Sequence, residues 1–139
     1  MSQSRVIFLQ VQNSSDKVRF LCEAVKNHFE KKERFLILCE DSKAQEFTDE
    51  LLWKIPTSSF LPHVASDVNT EDFVAITKTK NNVNEAHIAF NLCTTPLLIQ
   101  TPFRIIYEFE DLSNPSKSRL SERRYNAYKK EGFLIESRA

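Results

Sequence analysis

The sequence predicts an α/β fold, with one domain in which a largely parallel β-sheet carries helices on both faces. Strand-like segments alternate with segments whose apolar residues recur at helical spacing, an order typical of parallel strands joined by crossover helices. The chain has 139 residues, which is enough for one domain with its own hydrophobic core and too few for two. We therefore treat residues 1–139 as a single domain.

Two strand–helix units are predicted in the first half of the chain. Residues 5–12 are rich in β-forming side chains, and a capping cluster at 13–15 follows them. The next apolar residues fall at i, i+3, i+4 and i+7, which predicts a helix. The continuous apolar run 34–39 predicts a strand buried on both faces, and Asp41 begins a second helix. The residues expected on the buried face of that helix are Ala44, Phe47 and Leu51.

The second half of the chain predicts three more strands and a last helix. Asn114 and Pro115 fit the N-cap and the first position of a helix over about 116–131. Gly132 fits the C′ position that ends this helix. Short apolar segments separated by polar loops are the strand candidates, at residues 73–77, 87–92 and 103–109. We expect five strands in total.

The composition excludes several classes of function. Nineteen basic residues balance nineteen acidic ones, so nonspecific nucleic-acid binding through overall charge is not expected. The single glycine excludes the phosphate-binding loop and the dinucleotide fingerprint, because both need several glycines. Cys22, Cys39 and Cys93 are scattered, which indicates buried thiols in a reducing compartment. With no signal segment or membrane span evident, we expect a soluble, cytoplasmic protein.

No catalytic or metal-binding constellation is evident in the sequence. His28, His63 and His87 lie in different predicted elements without a nucleophile motif, and no set of ligand residues has a recognised metal spacing. Glu40 and Asp41 follow a strand, where ligand sites of open α/β sheets lie, but helix capping is the simpler explanation. We expect a protein that is not an enzyme and needs no cofactor.

The C-terminal segment is a candidate binding surface. Residues 117–139 carry a net charge of +4 and residues 1–116 carry −4. Arginines and tyrosines are enriched in interfaces, and an arginine cluster beside an apolar notch suits an acidic peptide. Direct binding of single-stranded nucleic acid uses the same residue types and is the alternative. A single basic helix is, however, a small footprint for a phosphate backbone.

A second candidate surface is the segment LLWKIPTSSFLPH at residues 51–63. Its two prolines keep the backbone extended and out of a central sheet position. The segment carries Trp53, Phe60 and Leu61. These side chains either fold into the core or form a preformed aromatic patch for a partner protein.

Three segments match one known family in order and spacing. They are FLILCEDSKAQEFTDELLWKIPTSSFLPH at 35–63, FRIIYEFED at 103–111 and ERRYNAYKKEGF at 122–133. On these segments the chain resembles the chi subunit family of bacterial DNA polymerase III holoenzyme, whose members are clamp-loader accessory proteins. The resemblance implies a Rossmann-like α/β fold without nucleotide chemistry, and a non-catalytic subunit that we expect to be a monomer when alone.

The resemblance also implies two partners and no direct contact with DNA. Family members bind the acidic C-terminal tail of single-stranded DNA-binding protein, and this site maps to Arg124, Tyr125 and Lys129. We add Arg123 as a second candidate clamp for a carboxylate and Phe133 as a wall of the notch for the tail's aromatic residue. A psi-type subunit, or a helicase in its place, is implied at the second surface, which maps to Trp53, Phe60 and Pro62.

One position departs from the family pattern. Glu122 stands where many members carry an arginine, two residues before the Arg124–Tyr125 pair. We expect Arg123 or Arg119 to supply the missing positive charge from a neighbouring position.

Overall fold

Seven parallel strands form one sheet in the part of the chain that the structure describes. The structure is a computed structural model, and it describes residues 4–54, 61–98 and 103–139. The elements are β1 (Arg5–Val11), α1 (Ser14–Glu30), β2 (Phe35–Leu38), α2 (Ser42–Trp53), β3 (Val64–Ala65), β4 (Val74–Thr77), β5 (Ile88–Asn91), β6 (Ile105–Asp111), α3 (Pro115–Lys130) and β7 (Leu134–Arg138). The strand order is β3-β4-β2-β5-β6-β1-β7, and all the pairs are parallel. The predicted α/β class with a parallel sheet is confirmed.

The sheet has a separate hydrophobic core on each face. Successive residues of a strand point to opposite faces, so Ile7 packs with α1 and α2 while Phe8 packs with α3. Leu21 and Leu52 close the first core from the two helices on that face. Tyr128 closes the second core from α3. Helices on both faces explain why the central strands are apolar throughout.

Side-chain caps begin all three helices described, as the sequence predicts. Asn13 accepts a hydrogen bond from the Asp16 amide, Asp41 from the Ala44 amide and Asn114 from the Lys117 amide, each at 2.9 Å. These contacts satisfy amides that have no partner within the first helical turn. Gly132 has a φ of +87°, the left-handed conformation that a C′ glycine adopts at low cost.

The predicted strand count was wrong by two. β3 has only two residues, in a stretch that was expected to be a polar loop, and pairs with β4 at the edge of the sheet. β7 follows α3 and pairs with β1 at the opposite edge. Both are edge strands with exposed residues, so neither shows the apolar pattern by which buried strands are recognised.

The predicted buried face of α2 was also wrong in part. Phe47 is 66% exposed, and the buried residues are Gln45, Thr48 and Leu52. The Gln45 amide donates hydrogen bonds to the Ile76 carbonyl at 2.8 Å and to Asp67 at 3.1 Å. Because these partners satisfy its polar atoms, Gln45 occupies the inward face. The helix is therefore rotated away from the orientation that its apolar residues predict.

The helices that follow the neighbouring strands β1 and β6 pack on opposite faces of the sheet. α1 follows β1 and packs in the first core, whereas α3 follows β6 and packs in the second. In open parallel sheets, a crevice forms where adjacent connections diverge in this way. No helix in the described segments is long and apolar enough to cross a membrane.

Candidate functional site

α3 is held against the sheet by one buried carboxylate. Glu108 of β6 is fully buried and accepts hydrogen bonds from Arg124 Nε at 2.9 Å, the Tyr128 hydroxyl at 2.6 Å and Asn91 Nδ2 at 2.7 Å. Burial raises the pKa of Glu108 to about 7, although Arg124 and the neutral donors favour the charged form. The Tyr128 hydroxyl also accepts a hydrogen bond from the Leu97 amide at 2.7 Å. This cluster fixes which face of α3 points inward.

Arg124 belongs to this internal cluster and is only 7% exposed. Its Nη2 donates to the Phe109 carbonyl at 3.0 Å and its Nη1 to the Thr94 carbonyl at 3.3 Å. The guanidinium therefore joins α3 to β6 and to the loop after β5. The two adjacent arginines in the sequence do not by themselves indicate that one of them is internal.

The five residues predicted to bind an acidic tail do not line one pocket. Arg123 and Tyr125 are two positions apart on α3, which puts them on opposite sides of the helix, and both are exposed. Lys129 is exposed one turn beyond Tyr125, on the same side of the helix. Phe133 is half-buried and packs edge-to-face on Tyr128, with ring centroids 5.3 Å apart.

Tyr125 forms one wall of a cavity beside α3, which we call the α3 notch. The rings of Phe8 and Tyr125 lie 5.6 Å apart and are tilted by 57°. The volume of the notch is about 260 Å³. Its lining residues are Phe8, Glu110, Ser118, Ser121, Glu122 and Tyr125. An aromatic floor with a polar rim is the form of a site that takes one apolar side chain.

A second cavity lies in the crevice between α1 and α3. Its volume is about 220 Å³, and Lys17, Asp111, Lys117 and Arg124 contribute charged groups to its lining. Lys17 Nζ lies 2.5 Å from Asp111 Oδ2. Burial would raise the pKa of Asp111, but hydrogen bonds from Lys17 and from the Ser113 hydroxyl lower it overall. Three of the four charges, including Arg124, are therefore already paired within the protein.

Trp53, at the end of α2, defines a separate surface. Its side chain is 51% exposed and its ring lies 4.1 Å from the His63 ring, tilted by 40°. His63 is buried and hydrogen-bonds through its two ring nitrogens to the Leu61 carbonyl at 2.9 Å and the Asp49 carbonyl at 3.2 Å. Pro62 is exposed, and Phe60, the third residue predicted here, lies outside the described residues. We call Trp53 and Pro62 the Trp53 surface.

The family model described as DNA polymerase III chi subunit, HolC, matches residues 3–136. The chain belongs to the DNA polymerase III chi subunit family. It is also 28% identical over 120 residues to the DNA polymerase III subunit chi of Escherichia coli (strain K12), covering 84% of this chain and 81% of that protein. The resemblance predicted from the three sequence segments is confirmed, and the chain is a chi-type accessory subunit of the polymerase.

Three other candidate residues of this chi-type subunit, His28, Glu40 and Asp41, have structural partners. His28 is buried and hydrogen-bonds through Nδ1 with Glu33 at 2.9 Å and through Nε2 with the Tyr107 hydroxyl at 2.7 Å. Glu40 accepts hydrogen bonds from the amide and the hydroxyl of Thr94, while Asp41 caps α2 as expected. Within residues 4–54, 61–98 and 103–139, no group of three His, Cys, Asp or Glu side chains is arranged to hold a metal ion.

The three cysteines are free thiols, in agreement with the prediction from their spacing. Cys39 and Cys93 are buried and Cys22 is half-buried. Burial raises the pKa of both Cys39 and Cys93 to about 11, so neither carries a thiolate at neutral pH.

Proposed function

We propose that this chi-family chain is a non-catalytic, cytoplasmic replication subunit that links the polymerase III clamp loader to single-stranded DNA-binding protein. In this proposal α3 holds the acidic C-terminal tail of that protein. The observation that supports it is the α3 notch, a cavity walled by Phe8 and Tyr125 on a helix whose outer side is basic.

The α3 notch would take an aromatic residue at the end of the tail. Phe8 is buried, and Tyr125 is 37% exposed, so one ring is fixed and the other is available to a ligand. Aromatic pairs add about 0.5–1.5 kcal/mol beyond the burial of their area. An aromatic anchor seated here would therefore supply the larger, salt-independent part of the binding free energy.

Exposed cations on α3 would supply attraction for the tail's carboxylates. Lys129 lies one turn beyond Tyr125. It is therefore within reach of the terminal carboxylate of a residue whose aromatic side chain occupies the notch. The other exposed basic residues of the helix are Arg119, Arg123 and Lys130. Cations at the rim of an interface act mainly on the association rate and on its salt dependence.

Arg124 would contribute to tail binding as a positioning residue. Its hydrogen bonds to Glu108 and Phe109 set the rotation of α3 about its own axis. That rotation places Tyr125 against Phe8 and leaves Arg123 on the solvent side. Lys129 is then the cation that would contact a carboxylate of the tail beside the notch, whereas Arg123 would attract the tail's other carboxylates from the opposite side of the helix. Phe133 would support the end of the helix through Tyr128.

A second partner is proposed at the Trp53 surface. A half-exposed tryptophan supported by a buried, hydrogen-bonded histidine is a rigid apolar feature of the kind that dominates protein interfaces. We assign this surface, with Phe60, to a psi-type subunit or to a helicase in its place. The chain would be a monomer when neither partner is present.

Fluorescence anisotropy with a labelled peptide tests the tail site. The peptide is a run of aspartates that ends in phenylalanine, and the proteins are wild type, Tyr125→Ala, Lys129→Ala, Arg123→Ala and the matched control Lys26→Ala on the exposed side of α1. We expect Tyr125→Ala and Lys129→Ala to weaken binding and Lys26→Ala to leave it unchanged.

A labelled oligothymidylate separates the proposal from direct strand binding. Tight binding of the oligonucleotide, with no displacement by the tail peptide, would favour a nucleic-acid-binding module instead. Equal affinity of all the protein variants for the tail peptide would exclude α3 as the binding site.

A further inference from the structure

The α3 notch carries negative charge at its rim. Glu110 of β6 is half-buried and Glu122 of α3 is exposed, and both line the cavity. The other lining residues are two serines and the two aromatic rings, and none of the lysines or arginines that the structure describes lines this cavity. An unbroken run of acidic residues entering the notch would therefore meet charge of the same sign.

We infer that the α3 notch selects a partner segment in which a lysine or arginine lies next to the buried aromatic residue. The inference rests on the proposed function and specifies which tails the site prefers. Consecutive Cα atoms are about 3.8 Å apart, so the residue before an aromatic anchor in the notch lies over its rim. Glu110 and Glu122 then attract a cation at that position and repel an aspartate or glutamate.

The charges along α3 also orient the bound segment. Glu122, Tyr125 and Lys129 follow one another at i, i+3 and i+7, on one side of the helix. The sign of the charge changes across Tyr125, with acid on the side of Glu122 and base on the side of Lys129. A chain end with its aromatic ring in the notch places its terminal carboxylate toward Lys129 and the preceding side chain toward Glu122.

The expected preference is modest, because at least one of the two rim carboxylates is well solvated. Exposed ion pairs are weak because water screens both charges and the long side chains stay mobile. Two rim carboxylates acting together therefore predict an affinity ratio of about threefold to tenfold. A ratio of that size is measurable by titration.

Two peptides and four proteins test the inference. One peptide is a run of aspartates followed by a terminal phenylalanine, and the second differs only in having lysine in place of the aspartate next to the phenylalanine. The proteins are wild type, Glu122→Gln, the double variant Glu110→Gln/Glu122→Gln, and the control Glu46→Gln, an exposed glutamate on the opposite face of the sheet. Circular dichroism checks that each variant is folded.

We expect wild type and Glu46→Gln to bind the lysine peptide about threefold to tenfold more tightly than the aspartate peptide. The ratio should shrink in Glu122→Gln, and shrink further or invert in the double variant. Equal or tighter binding of the aspartate peptide by wild type, or a ratio that persists in both Glu122 variants, would overturn the inference while leaving the tail site intact. Failure of wild type to bind either peptide would remove the proposed function and this inference together.

Discussion

Arg124 on the last helix and Glu108 on the strand before it form a buried pair, with Nε 2.9 Å from Oε1. The pair lies beneath the helix surface that we propose for the tail, and it connects that surface to the centre of the sheet. Because the carboxylate also accepts hydrogen bonds from Tyr128 and Asn91, four side chains from three elements depend on one another.

Replacing Arg124 with alanine should destabilise the fold strongly. Removing one partner of a buried charged pair costs about 3–5 kcal/mol. Here Glu108 would lose its charged partner, and the Phe109 and Thr94 carbonyls would lose their guanidinium donor. Urea unfolding followed by circular dichroism measures the change. The matched control is Arg123→Ala at the neighbouring exposed position, where we expect a change within about 0.5 kcal/mol. Equal stability of the two variants would contradict the buried role of Arg124.

Stability should fall as the pH rises from about 4.5 to 7 through the titration of Glu108. Its pKa is raised to about 7 in the folded protein, against about 4.3 in an unfolded chain. Between these values the folded state holds a proton that the unfolded state has released, so stability decreases with pH and levels off above the folded pKa.

Unfolding free energies of wild type and Glu108→Gln between pH 5 and pH 8 measure this contribution. The carboxyl groups whose pKa values are lowered, Glu33, Glu40, Asp67 and Asp111, remain ionised throughout that range and add little slope. We expect a falling curve for wild type and a flatter one for Glu108→Gln. Parallel curves for the two proteins would show that Glu108 titrates outside this range.

Binding of the aspartate–phenylalanine peptide should weaken as salt is added. The Debye length falls from about 10 Å at 0.1 M to about 3 Å at 1 M ionic strength, which screens the exposed cations of α3. Titrations at several salt concentrations give the slope of log Kd against log salt. Lys129→Ala should reduce this slope, whereas Tyr125→Ala should raise Kd and keep the slope. Identical slopes for wild type, Lys129→Ala and Tyr125→Ala would show that Lys129 does not contribute to binding of the peptide.

Trp53→Ala should leave the fold nearly unchanged and abolish binding of a psi-type subunit. Half of the side chain is already exposed to water, and its ring lies against the ring of His63. We expect a loss of stability below about 1 kcal/mol, measured by urea unfolding. Calorimetric titration with a purified psi subunit measures binding. Phe47→Ala, a more exposed aromatic on the same helix, is the control, and equal losses in both variants would point to a general effect on α2.

The parts of the fold that local chemistry determines were predicted correctly. The caps at Asn13, Asp41 and Asn114, the C′ glycine and the two central strands of the first half follow from the conformational preferences of a few adjacent residues. The two edge strands were missed because strands of two and five residues, with partly exposed side chains, lack an apolar pattern.

The candidate site was only partly predictable, because it depends on tertiary pairing. From its residue type alone, Arg124 is expected at the surface, because arginine is charged. Its partner Glu108 lies sixteen residues earlier, in a strand, so local sequence does not reveal the pair. One signal was present in the sequence: Ser121, Arg124 and Tyr128 share one side of the helix at i, i+3 and i+7, and all three are buried. Only one of the two acidic residues at the rim of the notch could be identified from the sequence. Glu122 departs from the family pattern, whereas Glu110 comes close to it only in the folded chain.

The strand before α3 and the strand after it both pair with β1, one on each side. The two ends of α3 are thereby anchored to β6 and β7, the two neighbours of β1. The hydrogen bonds of Arg124 and Tyr128 to Glu108 set the rotation of the helix about its axis. A tail that binds α3 as proposed would meet a surface that is already ordered, so the loss of conformational entropy on association would fall almost entirely on the tail. Affinity for this subunit should accordingly respond more to stiffening the tail peptide than to any change that stiffens α3.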